Sequence, residues 1–251
     1  MPQKLILLAA LLLAGVIPVA GQSAPAASPL AGFGFQTGEN GTTLSMPMQI
    51  ALGLTLLTVL PAVIMSITPF LRTIIVLHFL RQALGTQATP SNPILLGLAL
   101  FISLLVMKPV TSEMYANAWQ PLEAGQISTE QALDIGSKPL KTFMTKFVRE
   151  SDIKLFLEVT GSPEPATAED LSLSVLIPSY ILSELKAGFQ IGAVLYLPFV
   201  IIDLVVASVT LSIGMIQLPP VMLSAPFKIL LFVLVDGWSL VVGSLMKSFY
   251  P

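Results

Sequence analysis

The sequence has 251 residues, of which 54% are hydrophobic and 10% are charged, and its mean hydropathy is +0.85. Soluble domains carry about 25% charged residues, so these values indicate a membrane protein. The chain has no cysteine and one histidine, which excludes disulfides, thiolate nucleophiles, zinc sites and multi-histidine metal centres. The formal net charge of −2 shows no basic excess, so composition gives no electrostatic support for a nucleic-acid partner.

The N-terminal residues have the layout of a secretory signal peptide. A charged start, residues 1–4, precedes an apolar run, residues 5–14, and small residues follow. We expect cleavage after Ala20 or Gly21, which makes residues 1–21 a removed segment. A first transmembrane anchor is the alternative, but this apolar run is short for a membrane span.

Residues 22–47 separate the signal peptide from the first long apolar run. They are rich in proline and glycine, carry the single charge of Glu39, and show no helical periodicity. Such a composition predicts a flexible leader.

The next part of the sequence holds two apolar runs. Residues 48–71 contain no charged residue and are long enough to cross a bilayer, with Pro61 and Pro69 placed to kink the helix. Residues 94–107 are also apolar, but this run is too short to span comfortably by itself. We therefore predict that residues 48–108 form a first hydrophobic helical hairpin.

Residues 109–186 have the composition of a soluble segment, with six Lys or Arg and eleven Asp or Glu. Ser128 and Gln131 have the spacing of a capping box, and Pro139 suggests a helix start further on. An apolar stripe follows that proline at helical spacing: Leu140, Phe143, Met144, Phe147 and Val148. We predict a helical polar domain outside the bilayer, whose stripe packs within the domain; contact with a partner protein is the alternative.

The last part returns to membrane character. Residues 187–218 and 229–246 are each long enough to cross, and a proline-rich connection separates them, so residues 187–251 are predicted as a second hydrophobic hairpin. The predicted fold is an all-α integral membrane protein, with kinked helical hairpins and the polar domain between the second and third hydrophobic segments. Arg72 and Arg81 near a cytoplasmic end favour the periplasmic side for that domain.

Three charged residues stand inside otherwise apolar runs: Asp203, Lys228 and Asp236. Each costs roughly 2.5–3.5 kcal/mol at the centre of a membrane helix. If the hairpin apex lies between Met215 and Ile216, then Asp203 and Lys228 reach the same depth and are expected to form an ion pair, within one subunit or between two. Asp236 has no cation at matching depth, so we expect it to face water or another chain.

Two catalytic hypotheses compete with this interpretation. Asp203 and Asp236 could form an aspartyl protease pair, but neither lies in a glycine-rich setting, and Lys228 is the better partner for Asp203. His78 could activate a serine, but no nucleophile elbow lies near it, which favours a solvated or interfacial histidine. We therefore expect no enzymatic activity and no cofactor; a channel for ions or small molecules is a further alternative.

Four stretches in order resemble the FliP family of type III secretion export-gate proteins. They are Pro178–Gly192, Leu197–Ser208, Pro226–Lys228 and Leu231–Trp238. The resemblance extends from about Met48 to the end of the sequence. The family also has injectisome members, which generally lack a cleaved signal, so the predicted export signal favours the flagellar branch.

The resemblance implies more than composition shows. Family members assemble as a pentamer with two smaller partners, FliQ and FliR, and with other flagellar export membrane proteins in the basal body of the inner membrane. The implied function is an entrance channel for unfolded flagellar subunits. The implied hairpins are largely lifted out of the lipid, because subunits cover one another's apolar faces.

The resemblance also assigns roles to particular residues. A methionine-rich loop closes the pore in the family, and the matching positions here are Met215, Ile216 and Gln217, with one methionine where the family commonly shows three. An ordinary turn at a membrane surface is the alternative. Charged family positions linked to assembly or secretion match Arg149, Glu184, Asp203 and Lys228.

Overall fold

A computed structural model describes residues 35–38, 41–44, 46–86, 89–163, 165, 167, 170–214 and 219–250. The predicted signal peptide and the predicted pore loop at Met215, Ile216 and Gln217 lie outside the described residues. The chain divides into two compact units, Met1–Val63 and Ile64–Pro251. Helices make up nearly all of the described chain, which confirms the predicted all-α class.

The first unit contains a short antiparallel strand pair and most of a long helix. Strand β1 (Phe35–Gly38) pairs with β2 (Gly41–Leu44), a feature that the sequence did not predict, because four-residue strands are too short to show alternation. Helix α1 (Met46–Ser66) has no buried side chain and measures about 31 Å. Its length matches the roughly 30 Å hydrocarbon core of a bilayer.

The second unit contains eight α-helices within the described residues. In chain order they are α2 (Phe70–Ala83), α3 (Asn92–Met114), α4 (Gln120–Glu123), α5 (Thr129–Phe147), α6 (Glu150–Thr160), α7 (Leu173–Ser212), α8 (Pro220–Leu234) and α9 (Gly237–Lys247). A π-helical segment, Tyr115–Trp119, joins α3 to α4.

The apolar run predicted over residues 48–71 is not one helix. Helix α1 ends at Ser66, and α2 begins at Phe70 after Pro69. A proline disfavours the helical conformation of the residue before it, which explains why the chain breaks here. Pro61, by contrast, is accommodated within α1.

Both predicted boundaries of the polar domain, after residues 108 and 186, fall inside continuous helices. Helix α3 runs past Lys108, and with the π-helical segment and α4 the helical stretch covers Asn92–Glu123. Helix α7 runs past Lys186. A change from apolar to polar composition does not by itself end a helix, and Pro109, beside the first boundary, is accommodated within α3.

The predicted capping box is confirmed, but the predicted helix start at Pro139 is wrong. Ser128 and Gln131 cap α5 reciprocally, and Pro139 lies in its interior. The predicted apolar stripe packs inside the chain: Phe143 and Met144 join a core with Val106, Tyr180 and Phe249. The core therefore includes residues beyond the predicted 109–186 domain.

Helix α7 is the longest element, and α2 packs closely along it. A Cβ atom added to Gly188 would lie 3.1 Å from the Cβ of Ile75, and one added to Gly192 would lie 2.6 Å from the ring of Phe79. Glycines spaced by four on one helix face let two backbones approach closely, an arrangement common in membrane proteins.

The run predicted as a single span over residues 229–246 is broken. Helices α8 and α9 meet at an angle of 66°. Asp236 occupies the break in the left-handed conformation, with φ of 50°. Aspartate tolerates this conformation better than most residues, and Gly237 beside it leaves room for the ring of Phe232.

Among the described residues, three helical stretches are long and apolar enough to cross a membrane: Met46–Ser66, Asn92–Glu123 and Leu173–Ser212. The bent pair of α8 and α9 makes a fourth if it is counted as one span. This agrees with the four hydrophobic segments predicted from the sequence.

Candidate functional site

Three clusters of charged and hydroxyl side chains attach α7 to its neighbours. The Arg72 cluster comprises Arg72, Glu184 and Ser248; the Asp152 cluster comprises Asp152, Ser183 and Lys186; the Asp203 cluster comprises Asp203, Ser224 and Lys228. Each cluster joins α7 to a different part of the chain. Together they give ion-pair partners to five charged side chains that are wholly or largely buried: Arg72, Asp152, Glu184, Asp203 and Lys228.

The Arg72 cluster lies in the interior between α2 and α7. Glu184 is fully buried, and it accepts hydrogen bonds from Arg72 Nε at 2.9 Å and from Arg72 Nη2. Arg72 also donates to the Ser248 hydroxyl at 3.2 Å. Its guanidinium carbon lies 4.2 Å from the ring centroid of Phe249, a cation–π contact. One arginine thus joins α2, α7 and the segment after α9.

The Asp152 cluster joins α6 to α7. Asp152 is 1% exposed, and it accepts a hydrogen bond from Ser183 Oγ at 2.7 Å and another from Lys186 Nζ. Burial by itself raises the pKa of the Asp152 carboxyl, but the hydrogen bonds from Lys186 and Ser183 and the nearby positive charges outweigh it, so the pKa lies below its usual value. The carboxylate is therefore ionised at neutral pH.

Arg149 lies directly before α6 and also contacts α7. Its backbone N–H donates to Ser183 Oγ at 3.0 Å, and its Nη2 donates to Gln190 Oε1 at 2.6 Å. The Arg149 side chain is partly exposed. Of the two residues predicted as contact charges for assembly, Arg149 is thus accessible to another protein, whereas Glu184 is enclosed within its own chain.

The ion pair predicted between Asp203 and Lys228 is present within the chain. Lys228 Nζ lies 2.6 Å from Asp203 Oδ2, and Ser224 Oγ donates to Asp203 Oδ1 at 2.5 Å. The Lys228 side chain is 2% exposed and that of Asp203 is 26% exposed. The antiparallel arrangement of α7 and α8 brings both residues to one depth, as expected from their distances to the predicted apex.

Asp236 is exposed at the break between α8 and α9 and forms no ion pair with any described residue. Both carboxylate oxygens of Asp203 accept hydrogen bonds, so Asp203 is not a free base beside Asp236. The described residues contain no group of acidic, histidine or cysteine side chains that could hold a metal ion.

His78 lies near the end of α2 and is partly buried. Its Nδ1 is 3.1 Å from Arg81 Nη2. Because a guanidinium group can only donate, Nδ1 accepts and the ring proton is on Nε2. Burial lowers the pKa of His78, and the charge of Arg81 lowers it further, so the ring is neutral at pH 7. The interfacial histidine predicted from the sequence fits this setting.

Several residues that organise these contacts were not singled out from the sequence. In the sequence, Arg72 serves only as a topology signal, because its partner Glu184 lies 112 positions away. Gly188 and Gly192 lie within the family stretch, and their four-residue spacing indicates close helix packing, although not against which helix.

These features define an all-α membrane protein whose hairpins are held together by buried ion pairs and by close packing at glycines. The chain belongs to the FliP family, whose model matches residues 53–245. The flagellar biosynthetic protein FliP of Pectobacterium carotovorum subsp. carotovorum is 47% identical over 212 residues, which cover 84% of this chain and 82% of that protein.

Two further relatives carry the same name. The protein from Bacillus subtilis (strain 168) is 46% identical over 206 residues, covering 82% of this chain and 93% of its own length. The one from Cereibacter sphaeroides is 44% identical over 213 residues, covering 85% and 71%. The chain is therefore a membrane component of the flagellar export apparatus, with a structural or transport role.

Proposed function

We propose that this chain assembles with further copies of itself, as a pentamer, and with FliQ and FliR to form the inner-membrane entrance channel for unfolded flagellar subunits. Other flagellar export membrane proteins would surround this complex and supply its energy. The observation that supports the proposal best is the broken, charged bend at Asp236 in an otherwise apolar surface.

Irregular backbone at membrane depth is tolerated only where protein covers it or where it lines a water-filled cavity. The 66° break between α8 and α9 leaves Asp236 exposed. Its neighbours are apolar and exposed as well, with Leu234 at 74% and Val235 at 51%. Lipid would solvate the apolar residues but not the carboxylate, whereas a second subunit or a wet channel would accommodate both.

The long helices support the same conclusion. Helix α7 measures about 60 Å, twice the thickness of the hydrocarbon core. Its apolar surface is largely uncovered by the chain itself, since Val194 and Leu204 are each 68% exposed. Other subunits are the natural cover for the part of this surface that extends beyond the lipid.

The charged residues divide into two roles in this proposal. The partly exposed side chains of Arg149 and Asp203 are placed to contact other subunits directly. Glu184 and Lys228 are buried, so they would support assembly by holding α7 in position against its neighbours. Asp236 would face the wet or protein-covered side.

The part of the chain between residues 109 and 186 is proposed to lie in the periplasm. Its polar composition supports this side, and Thr129 at the start of α5 is exposed and suited to labelling. Single cysteines give no background because the chain has none. A membrane-impermeant thiol reagent should label Thr129→Cys in cells whose inner membrane is intact. Labelling only after the inner membrane is broken would place this part in the cytoplasm.

The channel itself is tested by trapping a substrate. Met215, Ile216 and Gln217 are proposed to form the pore gasket, so a flagellar subunit fused to a stably folded domain should stall beside them. A cysteine at Ile216 should then form a disulfide with a cysteine in the stalled subunit, whereas Lys138→Cys, an exposed control on α5, should not. Equal trapping at both positions, or none at Ile216, would contradict the channel role. Native mass spectrometry of the mildly extracted complex tests the pentamer.

A further inference from the structure

A polar pocket opens between the C-terminal end of α2 and helices α7 and α8. Its volume is about 460 Å³, and its lining includes His78, Arg81, Gln82, Thr86 and Tyr196. None of these residues belongs to the three charge clusters. The pocket is therefore a separate site whose side chains are mainly hydrogen-bond donors.

Arg81 is a cation without a carboxylate partner in the described part of the chain. It donates to Asn92 Oδ1 at 2.5 Å, to the Pro90 carbonyl at 3.4 Å and to His78 Nδ1. A guanidinium group has five N–H donors, so about two remain available. The sequence contains no acidic residue between Glu39 and Glu113, so the segment around Arg81 offers no counter-charge.

Two further donors face the same pocket. The His78 ring carries its proton on Nε2, because Nδ1 accepts from Arg81. Tyr196 also lines the pocket, and its phenol can donate a hydrogen bond. One guanidinium, one imidazole N–H and one phenol around a single cavity match the oxygens of a phosphate group.

A shallow, open apolar groove along α8 adjoins the polar pocket. It is lined by Met222, Ala225, Pro226, Ile229, Leu230 and Val233. The groove joins the pocket where α2 ends, since a Cβ added to Gly85, which lines the pocket, would lie 3.6 Å from the Cβ of Ala225. From Met222 to Val233 the groove is about 16 Å long, roughly half of a 30 Å hydrocarbon core, which is the depth of one leaflet.

We propose that the pocket and the groove together bind one anionic phospholipid. The phosphate contacts Arg81, His78 and Tyr196, and one acyl chain lies along α8. A zwitterionic headgroup would bring an ammonium group next to Arg81, in a pocket whose described lining has no carboxylate. The bound lipid would hold the end of α2 against α8.

The test uses the full chain in its detergent-extracted export complex, stripped of lipid and titrated with phosphatidylglycerol or with phosphatidylcholine of the same chain length. Lipid retention is counted by native mass spectrometry, and the melting temperature is followed in parallel. Phosphatidylglycerol should bind at least about fivefold more tightly, and Arg81→Gln should weaken it about tenfold or more. Lys138→Gln removes an exposed charge on α5 and should change nothing. Equal affinity for the two lipids would overturn the proposal.

Two other variants keep the test independent of any folding defect in Arg81→Gln. Tyr196→Phe removes one hydrogen-bond donor and should weaken phosphatidylglycerol binding about threefold. Ile229→Ser should weaken the long-chain lipid but leave a six-carbon-chain analogue unaffected. Unchanged affinity in both variants would overturn the lipid site.

The remaining outcomes separate the lipid from other occupants. If inorganic phosphate raises the melting temperature as much as phosphatidylglycerol does, then the ligand is free phosphate and the groove has no part in binding. If Met222→Cys forms a complete disulfide with a cysteine scanned along another subunit, then protein fills the groove. Either result would reject the phospholipid.

Discussion

Arg72 in α2 and Glu184 in α7 form a two-point ion pair in the interior, although 112 positions separate them in the sequence. Both side chains are buried, at 7% and 0% exposure. Two charges in such surroundings are stable only as a pair, because each would otherwise lose its hydration without compensation. The pair therefore fixes which face of α7 meets α2.

Removing one member of this pair should be far more harmful than removing both. Glu184→Gln leaves Arg72 buried without a counter-charge and is expected to cost about 3–5 kcal/mol of stability. The double variant Arg72→Met/Glu184→Leu should retain much more of the melting temperature and of the recovered complex. Asp134→Asn, in an exposed pair with Lys138, serves as the control and should change little. A stable Glu184→Gln protein would show that the pair is dispensable.

Reversing the charges of Asp203 and Lys228 should reveal their direct coupling. Asp203→Lys and Lys228→Asp are each expected to reduce the amount of assembled complex and to block motility, because like charges then meet in an apolar setting. The double swap should restore part of both, so the effects are not additive. Ser224→Ala, which removes the second hydrogen bond to Asp203, should cost about 1 kcal/mol. A strictly additive loss in the double swap would count against direct pairing.

A single methyl group at Gly192 should disturb the contact between α2 and α7. The added Cβ would overlap the ring of Phe79, so Gly192→Ala is expected to lower stability by about 1–3 kcal/mol. Gly97 in α3 has no atom within 4 Å of the corresponding position, so Gly97→Ala should be neutral or stabilising through helix propensity. The prediction is checked by comparing the melting temperatures of the two variants. Equal effects would indicate that α2 is free to move away.

The buried hydroxyl of Tyr180 is expected to lower the stability of the folded chain. The side chain is fully buried, and the hydroxyl has no hydrogen-bond partner among the described residues. Burying an unpaired hydroxyl is unfavourable, so Tyr180→Phe should leave stability unchanged or raise it by up to about 1 kcal/mol. Tyr250→Phe is the matched comparison, since that hydroxyl donates to the Val106 carbonyl at 3.3 Å. A clear loss of stability in Tyr180→Phe would indicate a partner, such as bound water.

Acid should weaken the attachment of α6 to α7. The pKa of Asp152 is lower in the folded chain than its usual value of 3.8, so the folded state binds this proton less readily than the unfolded state. The stabilisation is therefore complete above about pH 4 and is lost as the pH falls through the lower, folded pKa. The melting temperature of the parent chain should exceed that of Asp152→Asn at pH 6, and the difference should shrink below about pH 4. Asp134→Asn should show no such convergence.

Whether a contact can be predicted from the sequence depends on how far apart its residues lie along the chain. The Ser128 capping box is local, and it was predicted residue by residue. The pair of Asp203 and Lys228 was also predictable, because two antiparallel helices joined by a short connection fix which residues share a depth. Predicting either feature requires knowledge of only one helix or of two consecutive helices.

Contacts between distant elements could not be predicted in the same way. Nothing in the sequence relates Arg72 to Glu184, because their pairing follows from how α2 packs along α7. The predicted domain boundaries after residues 108 and 186 differ from the helix ends for another reason. Composition changes near Lys108 and Lys186, but α3 continues past Lys108 with Pro109 in its interior, and α7 continues past Lys186. At Asp236, a single left-handed residue breaks an apolar run that otherwise predicts one span.

The position of Ser248 beside Arg72 also has a consequence for biosynthesis. The ribosome adds the serine 176 residues after the arginine, which at about 5–20 residues per second takes roughly 10–35 s. During this interval α2 carries an arginine whose final surroundings do not yet exist, first without Glu184 and then without the segment after α9. The nascent helix must therefore remain near water, lipid headgroups or an insertion factor until translation has supplied the rest. Membrane integration of α2 is thus expected to finish late, although α2 precedes α3 to α9 along the chain.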